Sequence, residues 1–276
     1  MSRFTFYATL DADSIYPAVH AAMPPVPVML VASSFARKGL RKPTLPEHLP
    51  EKAADCGGFV ATLKWGDYRY TPAQYVAWLR TWRPAWAATF DYCCEPEIDG
   101  VVADRQRRTT EMAHHFWDEY RDEPWCWVPT VQGWEVADYR RHAQELAPLV
   151  SEMAAHYGPG SAFRVGIGTL CRRASSGMVR DVVAAVRDVL PDVGLHLWGV
   201  KITLFKSEGG LPPGVVSTDS AAWNGLTGAS GYDRWRQSGL KQRQYSYLVA
   251  LPEYLDKVRE ALTAPRTLPM FCGRAA

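Results

Sequence analysis

Three aspartates each follow a run of strand-forming residues. Asp55 heads Asp55-Cys56-Gly57-Gly58-Phe59, Asp91 lies in Phe90-Asp91-Tyr92-Cys93-Cys94-Glu95-Pro96, and Asp219 lies in Ser217-Thr218-Asp219-Ser220. Val131-Gln132-Gly133, Gly166-Ile167-Gly168-Thr169-Leu170 and Trp198-Gly199-Val200 end three further runs. Carboxylates in different surroundings can divide the roles of nucleophile and general acid/base, as a transfer through a covalent intermediate requires. An amide such as Gln132 offers both donor and acceptor to a polar ligand edge. Glycines let a ligand come close to the backbone. Each segment alone also has a plain structural reading, since an Asp after a strand often caps a helix or forms a turn. Their recurrence at the same place in successive units is what points to a site.

The units themselves are legible. Strand-like runs at Phe4–Leu10, Val26–Val31, Ala54–Phe59, Trp86–Tyr92, Trp125–Val131, Phe163–Ile167, Leu195–Val200 and Val215–Thr218 make eight. Helical patterns fall between most of them: Asp13–Met23, a helix opening at Thr71-Pro72-Ala73-Gln74, Asp104–Tyr120, Glu135–Tyr157 and Ser176–Leu190, with a last helix at Pro252–Leu262. Thr71 and Gln74 have the spacing of a capping box, and Pro72 suits the first helical position. Val179, Val182, Val183 and Val186 repeat at helical spacing. Eight strands with crossover helices is the count of a (β/α)8 barrel, with a doubly wound sheet as the alternative. In a barrel, all the segments above would meet on the rim at the strands' C-terminal ends.

Composition narrows the function classes. With 47% hydrophobic and 22% charged residues over 276 positions, the chain has a globular balance rather than a disordered one. Lys and Arg total 31 against 29 Asp and Glu, a net charge of +2, so no global basic footprint marks a nucleic-acid binder. A local patch remains open: only eight of the basic residues are Lys, and Arg favours bidentate phosphate contacts. The longest apolar run, Val26–Ala36, is too short to span a bilayer, and no secretory leader pattern opens the chain. The expected location is cytoplasmic. None of the six cysteines forms Cys-x-x-Cys, so neither a disulfide framework nor a finger-type metal site is expected. His114 and His115 read as ordinary helix residues, Cys93 and Cys94 as small packed residues, and Glu95 as a neighbour of Asp91.

In order and type these motifs resemble those of the tRNA-guanine transglycosylases. That family's Asp-Ser-Gly-Gly-Phe/Tyr-Gln is matched by Asp55-Cys56-Gly57-Gly58-Phe59-Val60, and its Phe-Asp-Glu-Cys-x-Pro by Phe90 to Pro96. Val131-Gln132-Gly133 is shared. Gly168-Thr169-Leu170 stands for Gly-Gly-Leu, Trp198-Gly199-Val200 for Met-Gly-Val, and Thr218-Asp219-Ser220 for Phe-Asp-Cys. The resemblance implies a pentosyltransferase on a single (β/α)8 barrel domain over residues 1–276. It implies that Asp219 attacks C1′ of a guanosine and that Asp55 is the general acid/base. It also implies a substrate pocket in which Asp91, Gln132, Gly133, Gly168 and Thr169 read the base edge. Gly57 and Gly58 would admit the base, and Phe59 and Trp198 would sandwich it. No cofactor is implied.

The chain departs from the tRNA enzymes in ways that favour a related branch. Their C-terminal zinc subdomain, built on Cys-x-Cys-x-x-Cys and a His, has no counterpart, because only Cys272 follows Cys171. About fifty residues with one expected helix follow the last strand. The segments Gly166 to Arg173 and Ser217 to Trp223 are similar to the DNA-guanine transglycosylases, DpdA-like enzymes of phage and bacterial genomes. These exchange guanine in DNA for a 7-deazaguanine such as 7-cyano-7-deazaguanine, in relation to queuosine chemistry and restriction resistance. The implied partners are DNA, the free base and accessory DNA-modification proteins. A DNA path on the rim would use Arg172, Arg173, Lys201, Lys206, Trp223, Arg234, Arg236, Lys241 and Arg243, cations interleaved with aromatics. The alternatives are the same chemistry on tRNA, a non-catalytic nucleic-acid-binding barrel, and an unrelated carboxylate hydrolase.

Overall fold

The strands of the chain join into one parallel sheet. A computed structural model describes residues 4–10, 24–36, 39–171, 175–200, 202–207, 210–224 and 229–263. Its strands are β1 (Thr5–Leu10), β2 (Val28–Val31), β3 (Lys52–Asp55), β4 (Trp86–Ala88), β5 (Cys126–Val128), β6 (Thr130–Val131), β7 (Val165–Ile167), β8 (Leu195–Leu197) and β9 (Val215–Ser220). The order across the sheet is β5-β4-β3-β2-β1-β9-β8-β7-β6. The two ends of that order are one strand interrupted at Pro129. Proline brings no N–H to a ladder. The first half of the strand pairs with β4 and the second with β7, while the Pro129 carbonyl still accepts from Gly166 at 2.9 Å. The sheet therefore rolls into a (β/α)8-like barrel, and the doubly wound alternative is set aside.

Helices cover the outside. The helix Pro72–Arg80 starts with the expected capping box: Thr71 Oγ1 accepts from the Gln74 N–H, and Gln74 Oε1 accepts from the Thr71 N–H. Val102–Tyr120, Val136–Tyr157 and Ser176–Val189 follow, the last burying Val179, Val182, Val183 and Val186 as their spacing predicts. Trp78, Trp117 and Trp127 belong to the core layer between barrel and helices. Burying side chains this large contributes on the order of 2–3 kcal/mol each.

Several expected boundaries shift. The run Ala54–Phe59 is not all strand, because β3 ends at Asp55 and the chain turns helical at Gly58. The run Trp86–Tyr92 leaves the ladder after Ala88. Helices Ala229–Gln237 and Gln242–Tyr245 precede the final helix Leu251–Thr263, so the C-terminal stretch holds more than the one helix expected. Their short, strongly polar sequences give no apolar face to read. The expected helix Asp13–Met23 lies outside the described residues.

Side chains alternate along strands, so pairing register decides what faces the lumen. Tyr7 is paired with Asp219, Thr9 with Met29, Met29 with Ala53, and Ala53 with Trp86. Tyr7, Met29, Ala53, Trp86 and Val128 pack together inside the barrel. His196 is paired with Ser217 on the same face. The lumen thus has an apolar waist and a polar column that climbs to the C-terminal rim.

Candidate active site

The C-terminal mouth of the barrel holds a cavity of about 410 Å3, within the usual range for small-ligand sites. Asp55, Gly57, Gly58, Phe59, Asp91, Gln132, Thr169, Trp198 and Asp219 line it. Nine of the residues expected from sequence thus meet at one place. Thr9, Cys93, Glu95, Cys171 and Gly199 also line it and were not singled out as ligand-contacting residues.

The turn after β3 explains its own sequence. Asp55 Oδ1 accepts the Gly57 N–H at 2.7 Å. Gly57 has φ +80°, and a Cβ there would stand 2.5 Å from Ser33 Cβ. A Cβ on Gly58 would fall 1.8 Å from Asp91 Oδ1. The first glycine allows the left-handed turn, and the second makes room for a carboxylate from the next strand. Asp55 is pushed up to about 7, first by burial and further by the charges of Asp91 and Asp219, against the lowering effect of the Gly57 N–H. A carboxyl group at that value is equally ready to give and to take a proton near neutrality.

Asp91 is held from several sides. Gln132 Nε2 donates to its Oδ2 at 2.7 Å, and Cys56 Sγ donates to Oδ1 at 3.3 Å. Tyr68 clamps its backbone, donating to the carbonyl at 2.9 Å and accepting its N–H at 3.0 Å. Burial raises the Asp91 carboxyl, while these side-chain hydrogen bonds pull it down. The Gln132 amide can face only one way. The Asp91 carboxylate can only accept, so the Gln132 NH2 faces it; Gln132 Oε1 then faces Thr169 and takes its hydroxyl proton at 2.7 Å, while Thr169 Oγ1 accepts the Cys94 N–H at 2.9 Å. Thr169 adopts φ +52°, a conformation that β-branched residues avoid. Its backbone accepts that strain where its hydroxyl orients the amide.

His142 supports the same wall from outside. Its Nδ1 accepts the Gln132 N–H at 2.8 Å, and its Nε2 lies 3.1 Å from Thr110 Oγ1. Burial pushes this imidazole down to about 4, so it is neutral at pH 7. Sequence reading missed it, because a lone His on a helix face carries no spacing signal.

Asp219 sits opposite. Its Oδ1 accepts the Gly199 N–H at 2.8 Å and the His196 Nε2–H at 3.3 Å, and its Oδ2 accepts the Thr9 hydroxyl at 2.8 Å. Trp198, beside Gly199, packs edge-on to His196 with ring centroids 4.3 Å apart, and its Nε1 donates to Thr130 Oγ1. Gly166 makes room for that indole, since a Cβ there would lie 2.3 Å from Trp198 Nε1.

Other expectations need correction. Gly168 cannot read a base with its backbone: its N–H donates to the Val131 carbonyl at 3.0 Å, and its carbonyl accepts the Tyr139 hydroxyl at 3.0 Å. Gly168 instead leaves space for Gln132, whose side chain a Cβ would meet at 2.3 Å. Gly133 packs against the helix Val136–Tyr157, where a Cβ would meet Asp138 and Tyr139 at 2.9 Å, and it does not line the cavity. Trp223 is buried, donates Nε1 to the Thr9 carbonyl at 3.1 Å and packs on Tyr247, so it offers no stacking face. Arg234 is exposed but paired with Glu253 at 3.1 Å. Arg236 lies over the Tyr232 ring at 4.8 Å, and Lys206 and Lys241 are exposed. Arg172, Arg173 and Lys201 lie outside the described residues, as does the side chain of Arg243.

No group of three or more His, Cys, Asp or Glu side chains able to hold a metal occurs among the described residues. Among them, no helix is long and apolar enough to cross a membrane. A search of curated proteins returned no match. The family model described as DpdA, DeoxyPurine in DNA protein A, matches residues 19–228. That stretch runs from β2 through β9 and carries Asp55, Asp91, Gln132, Thr169 and Asp219, so the chain belongs to the DpdA family of DNA-modification transglycosylases.

Proposed function

We propose that the chain exchanges guanine in DNA for a 7-deazaguanine base, such as 7-cyano-7-deazaguanine, through a covalent glycosyl-Asp219 intermediate. The observation that carries this reading is the division of three carboxylates around one cavity. Asp219 is held as an acceptor of three donors, Asp55 is poised near neutrality, and Asp91 is tied to an amide of fixed direction.

An Asp219 carboxylate oxygen attacks C1′ as the C1′–N9 bond breaks. The bond's electron pair leaves on the purine, and Asp55 supplies the proton that neutralises it. The incoming base then gives its N9 proton to the Asp55 carboxylate and attacks C1′, and Asp219 departs as a carboxylate. Asp55 ends as it began, so the cycle needs no cofactor. Asp91 accepts from the N1–H and exocyclic amine of the base, and Gln132 presents its remaining N–H to the O6 side. A base lacking those groups leaves buried polar atoms unpaired, which discriminates strongly. Phe59 and Trp198 flank the purine plane.

A stacked nucleotide cannot bring C1′ into a barrel mouth, so the target is flipped out of the duplex. Lys206, Arg236 and Lys241 are exposed cations suited to holding the phosphates. The test is incubation of the protein with DNA and labelled 7-cyano-7-deazaguanine, then digestion and mass analysis of nucleosides. Label in DNA that disappears with Asp219→Ala is the expected result. Label in tRNA alone would refute the DNA assignment.

A further inference from the structure

The polar column in the lumen ends on Asp219, and its proton order can be read from its two ends. Arg164, almost fully buried at the start of β7, donates through Nη1 to Ser217 Oγ at 2.8 Å. A guanidinium has only donors, so Ser217 Oγ must accept there. Its single proton is then free for His196 Nδ1 at 2.9 Å. At the other end the Asp219 carboxylate can only accept, so the ring proton of neutral His196 sits on Nε2, facing Asp219 Oδ1 at 3.3 Å, and bare Nδ1 takes the Ser217 proton. His196 is fully buried, and burial lowers its proton affinity. Arg164 itself is fixed by the Ala162 carbonyl at 2.9 Å and lies over the Trp86 ring at 4.9 Å.

The geometry assigns Arg164, Ser217 and His196 as a one-directional hydrogen-bond column that makes neutral His196 a positioning residue for Asp219, fixing which carboxylate oxygen reacts and easing its departure. Among the described residues, Oδ1 takes two donors, from Gly199 and His196, and Oδ2 takes one, the Thr9 hydroxyl. The less occupied Oδ2 bonds to C1′, and Oδ1 becomes the ester carbonyl oxygen. When the incoming base displaces Asp219, negative charge returns to the carboxylate. The fixed N–H on Oδ1 stabilises that leaving group without giving up its proton. The column thus acts mainly on the second half of the exchange. This inference rests on the proposed glycosyl-Asp219 chemistry.

The test compares wild type, His196→Leu, His196→Gln and Ser217→Ala with guanine-labelled DNA and 7-cyano-7-deazaguanine. His196→Leu should lower kcat by roughly ten- to a hundredfold, the scale of a lost hydrogen bond to a charged group, with kcat/KM for DNA little changed because adduct formation is spared. It should accumulate the DNA-protein adduct that wild type resolves. His196→Gln, whose amide N–H reaches Asp219, should restore most of the rate and clear the adduct. Nitrogen NMR of labelled histidine at pH 7.5 should show His196 neutral with its proton on Nε2, and Ser217→Ala should shift population to the other tautomer. That readout stands even if His196→Leu fails to fold. A charged His196, an Nδ1-protonated ring in wild type, or a folded His196→Leu protein with full rate and no adduct overturns the column. Full retention of the labelled guanine in DNA by wild type overturns the exchange chemistry instead, and the tautomer measurement tells the two failures apart.

Discussion

Replacing Asp55 by Asn removes a charge that the fold tolerates badly. In an open chain this carboxyl titrates at its ordinary value of 3.8, and within the site it is pushed up to about 7. Each tenfold change in proton affinity is worth about 1.36 kcal/mol. Ionising Asp55 in the folded protein therefore costs up to about 4 kcal/mol more than in the open chain, and solvent at the cavity mouth screens this towards roughly 2 kcal/mol. Between those two values the folded form holds more protons than the unfolded one. The stability linked to this group is complete below 3.8 and is lost as pH rises through about 7. Asn carries no charge at any pH. Asp55→Asn should thus match wild type near pH 4 and exceed it by about 2–4 kcal/mol at pH 8.5, a gain of several degrees in Tm. Thermal unfolding of both proteins at pH 4.5, 6.5 and 8.5 measures the difference, in which most other titrating groups cancel. The same variant should lose exchange by at least about a hundredfold, because the amide neither gives nor takes the proton. A gain equal at pH 4.5 and 8.5, or absent at both, would refute the account of why Asp55 sits near neutrality.

Gly58→Ala puts a methyl group where Asp91 Oδ1 now stands. It should abolish exchange and lower stability by about 2–4 kcal/mol, read by denaturant unfolding. Thr169→Val should raise KM for the incoming base by roughly tenfold, because the Gln132 amide loses the donor that orients it. Steady-state kinetics with the free base varied would show this, and an unchanged KM would contradict the argument. Trp223→Ala should destabilise the fold by about 3–5 kcal/mol, as expected for a buried aromatic. At temperatures where it remains folded, its DNA affinity in a titration should stay within a few-fold of wild type.

Much of the site was legible because catalytic groups on a barrel follow strand ends, and strand ends show as a change of pattern. Asp55, Asp91, Gln132, Thr169, Trp198 and Asp219 were found that way, and all line one cavity. The capping box at Thr71 was legible for a similar reason, since both partners lie within one helical turn. Gly133 and Gly168 share those motifs yet serve packing, and only the atoms a Cβ would strike reveal it. Trp223 reads as part of the DNA path because cations and aromatics alternate in the segments after the last strands. The core lies on its other side, against Tyr247 from a helix further along the chain.

The sequence by itself determined the alternation of strands and helices, the barrel count and the carboxylates on the rim. Those are local patterns of period and punctuation, carried within a few tens of residues. Only the tertiary structure decided that Pro129 splits a strand whose halves close the barrel, that Thr169 fixes the Gln132 amide, and that Arg164 reaches Asp219 through Ser217 and His196. These contacts join residues far apart in the chain. A buried His or Arg has the same letter as an exposed one, and hydrogen-bond direction exists only once every donor has met its acceptor.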